Sequence, residues 1–303
     1  MMVCLEMFAA NSFRHPAKVA KSIRLNFTHQ SLGLIAGSRS LPLLFAAQAR
    51  RMGVSRIVAV AFENETDARL TQLVDEIVWL KVGQLGKMIG AFASRQVHHC
   101  VMLGQIAPKN LFDLRPDLRA MALLIRLKEK NAQTIFKAIG DELAKDNVEL
   151  IEATPWLLPL MAGSGFQIGP QPTSAQMEDA RFGFQIAKEI SRLEIGQTVV
   201  VKDGTVLAVE GFEGTDKCLV RGGELAGKQG GAIAVKVAKA DHDMRFDIPC
   251  IGPETLKTCA ASGISALALE TGRTLVLEQE EMNRIARSTK VAIFTLNPLT
   301  PTS

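Results

Sequence analysis

The apolar positions of this chain follow two rhythms. Short continuous runs, Leu32 to Ala36, Ile57 to Phe62, Ile77 to Leu80, Cys100 to Leu103 and Val148 to Ile151, alternate with longer stretches of helical spacing. Runs without polar alternation are what strands buried on both faces require. Between them, Leu41-Pro42 opens a helical pattern that runs to Arg51, with Ser40 as N-cap and Pro42 inside the first turn. Gly83-Gln-Leu-Gly86-Lys87 leads into a helix through Ser94, and further helical stretches cover Pro116 to Lys128 and Asn131 to Lys145. Strands alternating with helices of ~10–15 residues predict a parallel sheet with helices on its faces.

After residue 162 the pattern changes. Gly163-Ser-Gly165 through Pro170-Gln-Pro172-Thr173 is rich in Gly and Pro and nearly uncharged, as a linker over 163–173 would be. A helix follows from Ser174 to Leu193, with apolar residues at Phe182, Ile186, Ala187, Ile190 and Leu193. Gln197 to Val201 and Thr205 to Val209 flank Lys202-Asp203-Gly204, a strong hairpin pattern. Glu213-Gly-Thr-Asp216 starts a short helix, and Ala232 to Val237 is a further apolar run. Leu267 to Glu270 and Thr274 to Leu277 flank Thr271-Gly-Arg273, a second hairpin or tight turn. A final helix and the strand Val291 to Thr295 complete the pattern. The expected fold is thus α/β with two domains. A Rossmann-like parallel-sheet domain covers 31–162, the linker covers 163–173, and a mixed α/β domain, expected to be catalytic, covers 174–303.

Composition adds bounds. Apolar content of 47% with 22% charge suits a globular chain with an ample core. The net charge of +4 is mild, and no basic stripe interleaved with aromatics argues for nucleic acid. Five scattered cysteines with no CxxC pair read as reduced thiols in a cytosolic compartment. No apolar run approaches the ~18 residues of a membrane span. Residues 1–30 hold four Lys/Arg and one acid without the apolar core of a secretory leader. They read as an unstructured extension or an early start codon.

Four places have residues that suit phosphate chemistry. Gly33-Leu-Ile-Ala-Gly37-Ser38-Arg39-Ser40 is a strand, a small-residue turn and a helix start, where free backbone N–H groups bind anions. It is equally a plain tight turn, and the full GxGxxG of dinucleotide sites is absent. Gly104-Gln105 ends a parallel strand, where ligands of open α/β sheets bind. Glu213-Gly-Thr215-Asp216 offers N–H groups, a hydroxyl and a carboxylate, or simply a helix cap. The segment from Lys236 to Gly252 places Asp241, Asp243 and Asp247 among Lys236, Lys239 and Arg245, as a metal-assisted phosphate site or a solvated loop would. Within it, Asp243 and Asp247 are better metal candidates than the adjacent Asp241-His242-Asp243 trio, because neighbours on an extended backbone face opposite ways. His98-His99 has no acidic partner in sequence and reads as non-catalytic. GxSxG, the Walker A motif and HExxH do not occur.

In order along the chain stand Gly33-Leu-Ile-Ala-Gly37…Leu41-Pro42, Gly83-x-x-Gly86-Lys87, Arg181-Phe-Gly183…Leu193-Glu-Ile-Gly196-Gln197, Val199-Val-Val-Lys-Asp-Gly204, Leu207-Ala-Val-Glu210, Glu213-Gly-Thr-Asp216, Val235-Lys-Val-Ala-Lys239 and Arg245-Phe-Asp247-Ile-Pro-x-Ile-Gly252-Pro253. This series resembles the LpxI-type UDP-2,3-diacylglucosamine pyrophosphatases over about residues 31–297, most densely in the second half. The resemblance implies two α/β domains with the glycolipid bound between them. It implies Mg²⁺-assisted attack of water on the α-phosphorus, giving UMP and lipid X, a step towards lipid A in Gram-negative bacteria. Asp247 matches the carboxylate the family needs for turnover, and Thr215 and Asp216 match its Glu-Gly-Thr-Asp motif. Ser38-Arg39-Ser40 stands where the family has a Gly-rich turn, and Lys130-Asn131-Ala132 where it often has Gly-Asp-Asp. Gly104-Gln105 stands where Gly-Asn is usual.

The expected site then has Asp247 and Asp216 as catalytic residues and Mg²⁺ ligands. Gly37, Ser38, Ser40, Gly104, Gln105, Gln197, Thr215, Lys236, Lys239 and Arg245 contact the substrate. The expected setting is the cytoplasmic surface of the inner membrane, bound peripherally, with a homodimer as an admissible assembly. A non-catalytic nucleotide-sugar or glycolipid carrier is the alternative function, and a nicotinamide-dependent enzyme a more distant one.

Overall fold

A computed structural model describes residues 31–106, 116–129, 132–239, 243–246 and 248–297, with 132 and 133 described by backbone alone. Asp247, Asp241, His242, Lys130-Asn131, Cys4 and the whole of 1–30 therefore lie outside the described residues. The chain divides at residues 151/152 into two compact units.

The first unit carries strands β1 (Ser31–Ala36), β2 (Arg56–Phe62), β3 (Glu76–Leu80), β4 (His99–Leu103) and β5 (Glu149–Leu150). They form one sheet in the order β3-β2-β1-β4-β5, every pair parallel. Helices α1 (Leu41–Arg51), α2 (Leu85–Ala93), α3 (Leu118–Arg126) and α4 (Ala132–Ala144) lie on the crossovers, except that β2 and β3 are joined through a short 3-10 helix, Ala68–Gln72. The central strands β1, β2 and β4 are buried almost throughout, which is why their sequences lack alternation. β3, expected as another buried strand, is an edge strand, and its Trp79 is 38% exposed.

The second unit holds α5 (Thr154–Leu157), β6 (Gln167–Ile168), α6 (Ser174–Arg192), β7 (Thr198–Lys202), β8 (Thr205–Val209), α7 (Thr215–Leu225), β9 (Ala232–Lys236), β10 (Cys250–Ile251), α8 (Pro253–Ala261), β11 (Ile264–Glu270), β12 (Leu275–Val276), α9 (Gln279–Thr289) and β13 (Ala292–Leu296). Its main sheet runs β6-β13-β11-β9-β7-β8, with β9, β11 and β13 parallel, β7 antiparallel to β9, and β8 antiparallel to β7. Alternation along β7 and β9 sorts side chains to two faces. Val199, Val201 and Val235 pack with Ala180, Phe184 and Ala187 of α6. Val200 and Ala234 pack on the opposite face with Leu219 of α7 and Leu256 of α8. Full burial of one such Leu contributes about 1.5–3 kcal/mol. A capping box starts α6: the Thr173 hydroxyl accepts from Gln176 N–H, and the Gln176 side chain accepts from Thr173 N–H.

The structure refines the expected layout. The 163–173 stretch contains β6, which pairs antiparallel with β13 at Ile168 and Gln167, so part of the expected linker is built into the second sheet. Of the two readings of 271–273, the tight turn holds and the hairpin does not. β12 instead pairs in parallel with β10 as a separate two-stranded sheet, because Leu275 N–H donates to Pro249 O and Leu277 N–H to Ile251 O. The helix α8 had no sequence forecast, although Pro253 at its start and Glu254 in its first turn are helix-start residues.

Candidate active site

The chemistry-bearing side chains of the second unit gather where β9 ends. Lys236 is the last residue of β9, and its antiparallel partner on β7 is Thr198. Both therefore face the same side of the sheet as Val200 and Ala234, towards α7. Lys236 is only 7% exposed, and its Nζ has a polar seat, donating to Thr215 Oγ1 at 2.8 Å. Thr215 Oγ1 in turn donates to Glu210 Oε1 at 2.9 Å. The other carboxylate oxygen of Glu210 accepts from the Gln197 backbone N–H at 3.4 Å. Base, hydroxyl and carboxylate thus form one chain across three elements. Thr198 Oγ1, paired in register with Lys236, is buried without a hydrogen-bond partner.

Local sequence explains how these groups meet. Gly196 lets the entry of β7 pass against Glu210, since a Cβ there would lie 2.0 Å from Glu210 O. Gly214 precedes α7 at φ 84°, a conformation that favours glycine, and turns the chain so that Thr215 opens the helix. The first turn of α7 presents unpaired N–H groups and the positive end of the helix dipole beside the Lys236 ammonium. Asp216 lies in the same turn, and its Oδ1 accepts a long 3.4 Å hydrogen bond from Thr255 Oγ1. The preceding turn is braced by Glu213, which accepts from Gly211 N–H at 3.1 Å and from Arg221 at 2.6 Å. The Arg221 hydrogen bond holds the Glu213 carboxyl below its ordinary range.

A second cluster fixes the chain just beyond β9. Glu270, 4% exposed at the end of β11, accepts from Ala238 N–H at 2.8 Å and from Lys188 Nζ at 3.1 and 3.2 Å. Lys188 Nζ also donates to Ala238 O at 2.8 Å, and Arg273 donates to Lys239 O at 3.0 Å. Lys239 itself forms an ion pair with Glu194. Farther on, Arg245 binds Asp243 through two hydrogen bonds of 2.8 and 2.6 Å. Asp243, one of the sequence-derived metal candidates, is therefore already neutralised by its neighbour.

The first unit places Gly37, Ser38, Ser40, Gly104 and Gln105 at the C-terminal edge of its sheet, between β1 and β4, where strand order reverses. Two N–H groups expected to be free there are used internally. Gly37 N–H donates to Leu103 O at 2.8 Å and Ser38 N–H to Gln105 O at 2.7 Å. The Ser38 hydroxyl donates to the same Gln105 carbonyl at 2.8 Å. The bulkier Ser38-Arg39-Ser40 turn fills its own donors instead of leaving an open cradle, with Arg39 held at φ 70°. At the opposite end of β4, His99 finds the acid that sequence did not show, with Nε2 3.6 Å from Glu149 Oε2.

Of the residues expected in the site, the structure gathers Gln197, Thr215 and Lys236 around Glu210, with Asp216 beside Thr215 in the same helical turn. Glu210, Lys188 and Glu270 were not among the expected residues. Glu210 closes the apolar run Leu207-Ala-Val and Glu270 closes Leu267-Ala-Leu, so each reads as the first solvated residue after a strand. No group of three or more His, Cys, Asp or Glu residues suited to a metal gathers among the described residues. Burial pushes the thiols of Cys218 and Cys259 up to about 12 and that of Cys100 higher still, so these cysteines are neutral and unreactive.

Residues 31–160 match the LpxI N-terminal domain and residues 163–294 the LpxI C-terminal domain. The UDP-2,3-diacylglucosamine pyrophosphatase LpxI of Caulobacter vibrioides is 30% identical over 279 residues, covering 88% of this chain and 97% of the relative. A solved glycinamide-RNase-transformylase T from Mycobacterium tuberculosis aligns with 59% of this chain and 44% of its own at 11% identity, and its TM-score of 0.24 carries no argument. With both halves matched in order and a relative aligned along nearly its whole length, the chain belongs to the LpxI family.

Proposed function

We propose that this protein hydrolyses the pyrophosphate bond of UDP-2,3-diacylglucosamine to UMP and 2,3-diacylglucosamine 1-phosphate, lipid X, in lipid A biosynthesis. The observation that carries this reading is the buried Lys236 ammonium seated on Thr215 in the first turn of α7. A cation and a helix N-terminus converging at a strand end form a site for phosphate oxygens. The Caulobacter relative, which carries this activity in its name, supplies the substrate class.

Water oxygen forms the new bond to the α-phosphorus, and the bond from that phosphorus to the bridging oxygen breaks. The bridging oxygen leaves with the sugar phosphate, and the water's protons pass to solvent or product. Charge neutralisation is the main task of a phosphoryl-transfer site. Lys239 is paired with Glu194 and Arg245 with Asp243, so Lys236 takes the first share, and the other two serve the outer phosphate oxygens. Glu210 orients the Thr215 hydroxyl and thereby the ammonium. Gln197 lies beside Glu210, its backbone N–H donating to that carboxylate, at the border of the same phosphate site.

Mg²⁺ needs one or two carboxylates together with phosphate oxygens. Asp216, a hard oxygen donor with only a long hydrogen bond, fits that requirement, and Asp247 is the second ligand by family pattern. Bound there, the ion supplies positive charge against the pyrophosphate. The protein works peripherally at the cytoplasmic face of the inner membrane, where a diacylated substrate resides. Among the described residues no helix is long and apolar enough to cross a membrane.

The test is UMP release from UDP-2,3-diacylglucosamine by purified wild type and Asp247→Ala, with and without Mg²⁺. Release by wild type and its loss in the variant are expected. Equal rates would remove Asp247 from the mechanism. Tight substrate binding with no release by wild type would replace the enzyme with a glycolipid carrier.

A further inference from the structure

A buried hydroxyl normally has a partner, because leaving it unpaired costs folding stability. Thr198 Oγ1 on β7 has none, although the residue is fully buried. Its neighbours across the sheet are the two ends of the Lys236–Thr215–Glu210 chain. On one side Thr198 pairs with Lys236 of β9. Val237 N–H donates to Gln197 O at 2.9 Å, so the adjacent pair is the hydrogen-bonded one. Thr198 and Lys236 are therefore a non-hydrogen-bonded pair, the kind in which facing side chains come closest. On the other side Glu210 N–H donates to Thr198 O at 2.8 Å, which sets Glu210 opposite Thr198 at the end of β8. Residues opposite each other share a face. Glu210, Thr198 and Lys236 thus form one row, and Thr215 bridges its two ends from the first turn of α7.

That bridge conflicts with binding an anion. Thr215 has one hydroxyl proton and donates it to Glu210 Oε1, while its oxygen accepts from Lys236 Nζ. A phosphate oxygen only accepts, so the Thr215 hydroxyl cannot donate to one without releasing Glu210. The released carboxylate is half-buried and would keep only the long hydrogen bond from Gln197 N–H.

We infer that Thr198 is a positioning residue that takes over this bridge when an anion engages Thr215, its hydroxyl donating to the Glu210 carboxylate and accepting from the Lys236 ammonium. The switch is one of hydrogen bonds alone. Thr215 turns its proton from Glu210 to a phosphate oxygen. Thr198 turns its own proton to Glu210, and its lone pairs accept from a second of the three ammonium donors. Lys236 and Glu210 then stay in place while the first turn of α7 takes up the phosphate. Packing does not explain a threonine here, since valine would fill the same space without an unpaired polar atom. The inference rests on the phosphate site of the functional reading above, and names a residue that reading does not use.

Thr198→Val and Thr198→Ser in the full chain test it by two readouts, UMP release from UDP-2,3-diacylglucosamine and calorimetric binding of inorganic pyrophosphate. Thr198→Val should lower kcat/KM and pyrophosphate affinity about tenfold each, as loss of a hydrogen bond to a charged group does. Its thermal midpoint should equal or exceed that of wild type, because an unpaired buried hydroxyl is gone. Thr198→Ser keeps the hydroxyl and should hold both values within about threefold of wild type. Unchanged rate and affinity in Thr198→Val would overturn the inference. So would losses that accompany a lowered thermal midpoint and persist in Thr198→Ser, since those belong to packing. A wild type that releases no UMP, yet binds pyrophosphate with this dependence on the hydroxyl, would remove the functional reading and leave the bridge standing. A wild type that neither releases UMP nor binds pyrophosphate would overturn both.

Discussion

In the first unit the turns that follow β1 and β4 are laced together, with Gly37, Ser38 and the Ser38 hydroxyl all donating to carbonyls of Leu103 and Gln105. In the second unit the end of β9 spends side chains instead: Lys236, Thr215 and Glu210 form a chain beside a helix start, and Lys188 with Glu270 grips the backbone of Ala238 two residues on. Both edges are the C-terminal ends of parallel strands, the places where open α/β sheets bind ligands. The difference teaches that position in the fold nominates a site but does not charge it. Backbone donors consumed inside a turn cannot also bind phosphate, whereas an ammonium seated on a hydroxyl keeps donors for an arriving anion.

The sharpest way to break this contrast is Lys236→Met, which keeps the volume and removes the charge. UMP release should fall about hundredfold or more, the range for removing one positioned electrostatic group. The thermal midpoint should change little. An unchanged rate would shift the phosphate away from α7 and towards the turns of the first unit.

Glu270→Ala should have the largest effect on stability. It leaves Lys188 without its counter-ion and the Ala238 N–H without an acceptor. Because Lys188 is 30% exposed, the cost falls at the lower end for a broken buried pair, about 3 kcal/mol in urea titration. Activity should fall too, since the chain leading from β9 to Arg245 loses its grip. Restoring the carboxylate as Glu270→Asp should recover stability in part, an outcome that simple loss of volume would not give.

The contrast can be probed from the other side with Gly104→Ala. Gly104 sits at φ 92°, and a Cβ there would lie 2.7 Å from Ser38 O. The strain should cost about 2 kcal/mol by denaturant titration, as a left-handed non-glycine residue in a crowded turn does. A rate that falls further than stability explains would assign the β1–β4 edge a direct part in substrate binding.

Much of this was legible in the sequence because buried parallel strands leave plain apolar runs. Leu32–Ala36, Ile57–Phe62 and Cys100–Leu103 fall inside β1, β2 and β4, and the Asp203-Gly204 hairpin stands as read. The pairing of β12 with β10 was not legible. Two-residue strands have no periodicity, and a tight turn between apolar runs looks the same whether or not they pair. Within the site, Thr215 and Lys236 could be named from their motifs, while the contact between them comes from α7 packing across β7 and β9. Glu210 and Glu270 were hidden for a related reason. A carboxylate at the end of a strand is solvated in most chains, and only the tertiary partners Thr215 and Lys188 reveal what these two hold.

The smallest expected effect concerns the turn before α7. Arg221 donates to Glu213 and to the Val209 carbonyl, and its hydrogen bond lowers the Glu213 pKa from its ordinary 4.5. A carboxyl whose folded pKa is depressed contributes stability that is fully present above the unfolded value. That contribution is lost as pH falls through the folded value, because the unfolded chain takes up the proton first. The side chains are solvent-screened, so the contribution is slight. Arg221→Ala should return the Glu213 titration towards 4.5 when followed by carboxyl NMR, and should flatten the fall in thermal midpoint below that pH. At neutral pH its rate of UMP release should stay within about twofold of wild type, as loss of an exposed ion pair allows. A much larger loss would mean that the Gly211–Gly214 turn, and not Gly214 alone, sets where Thr215 meets Lys236.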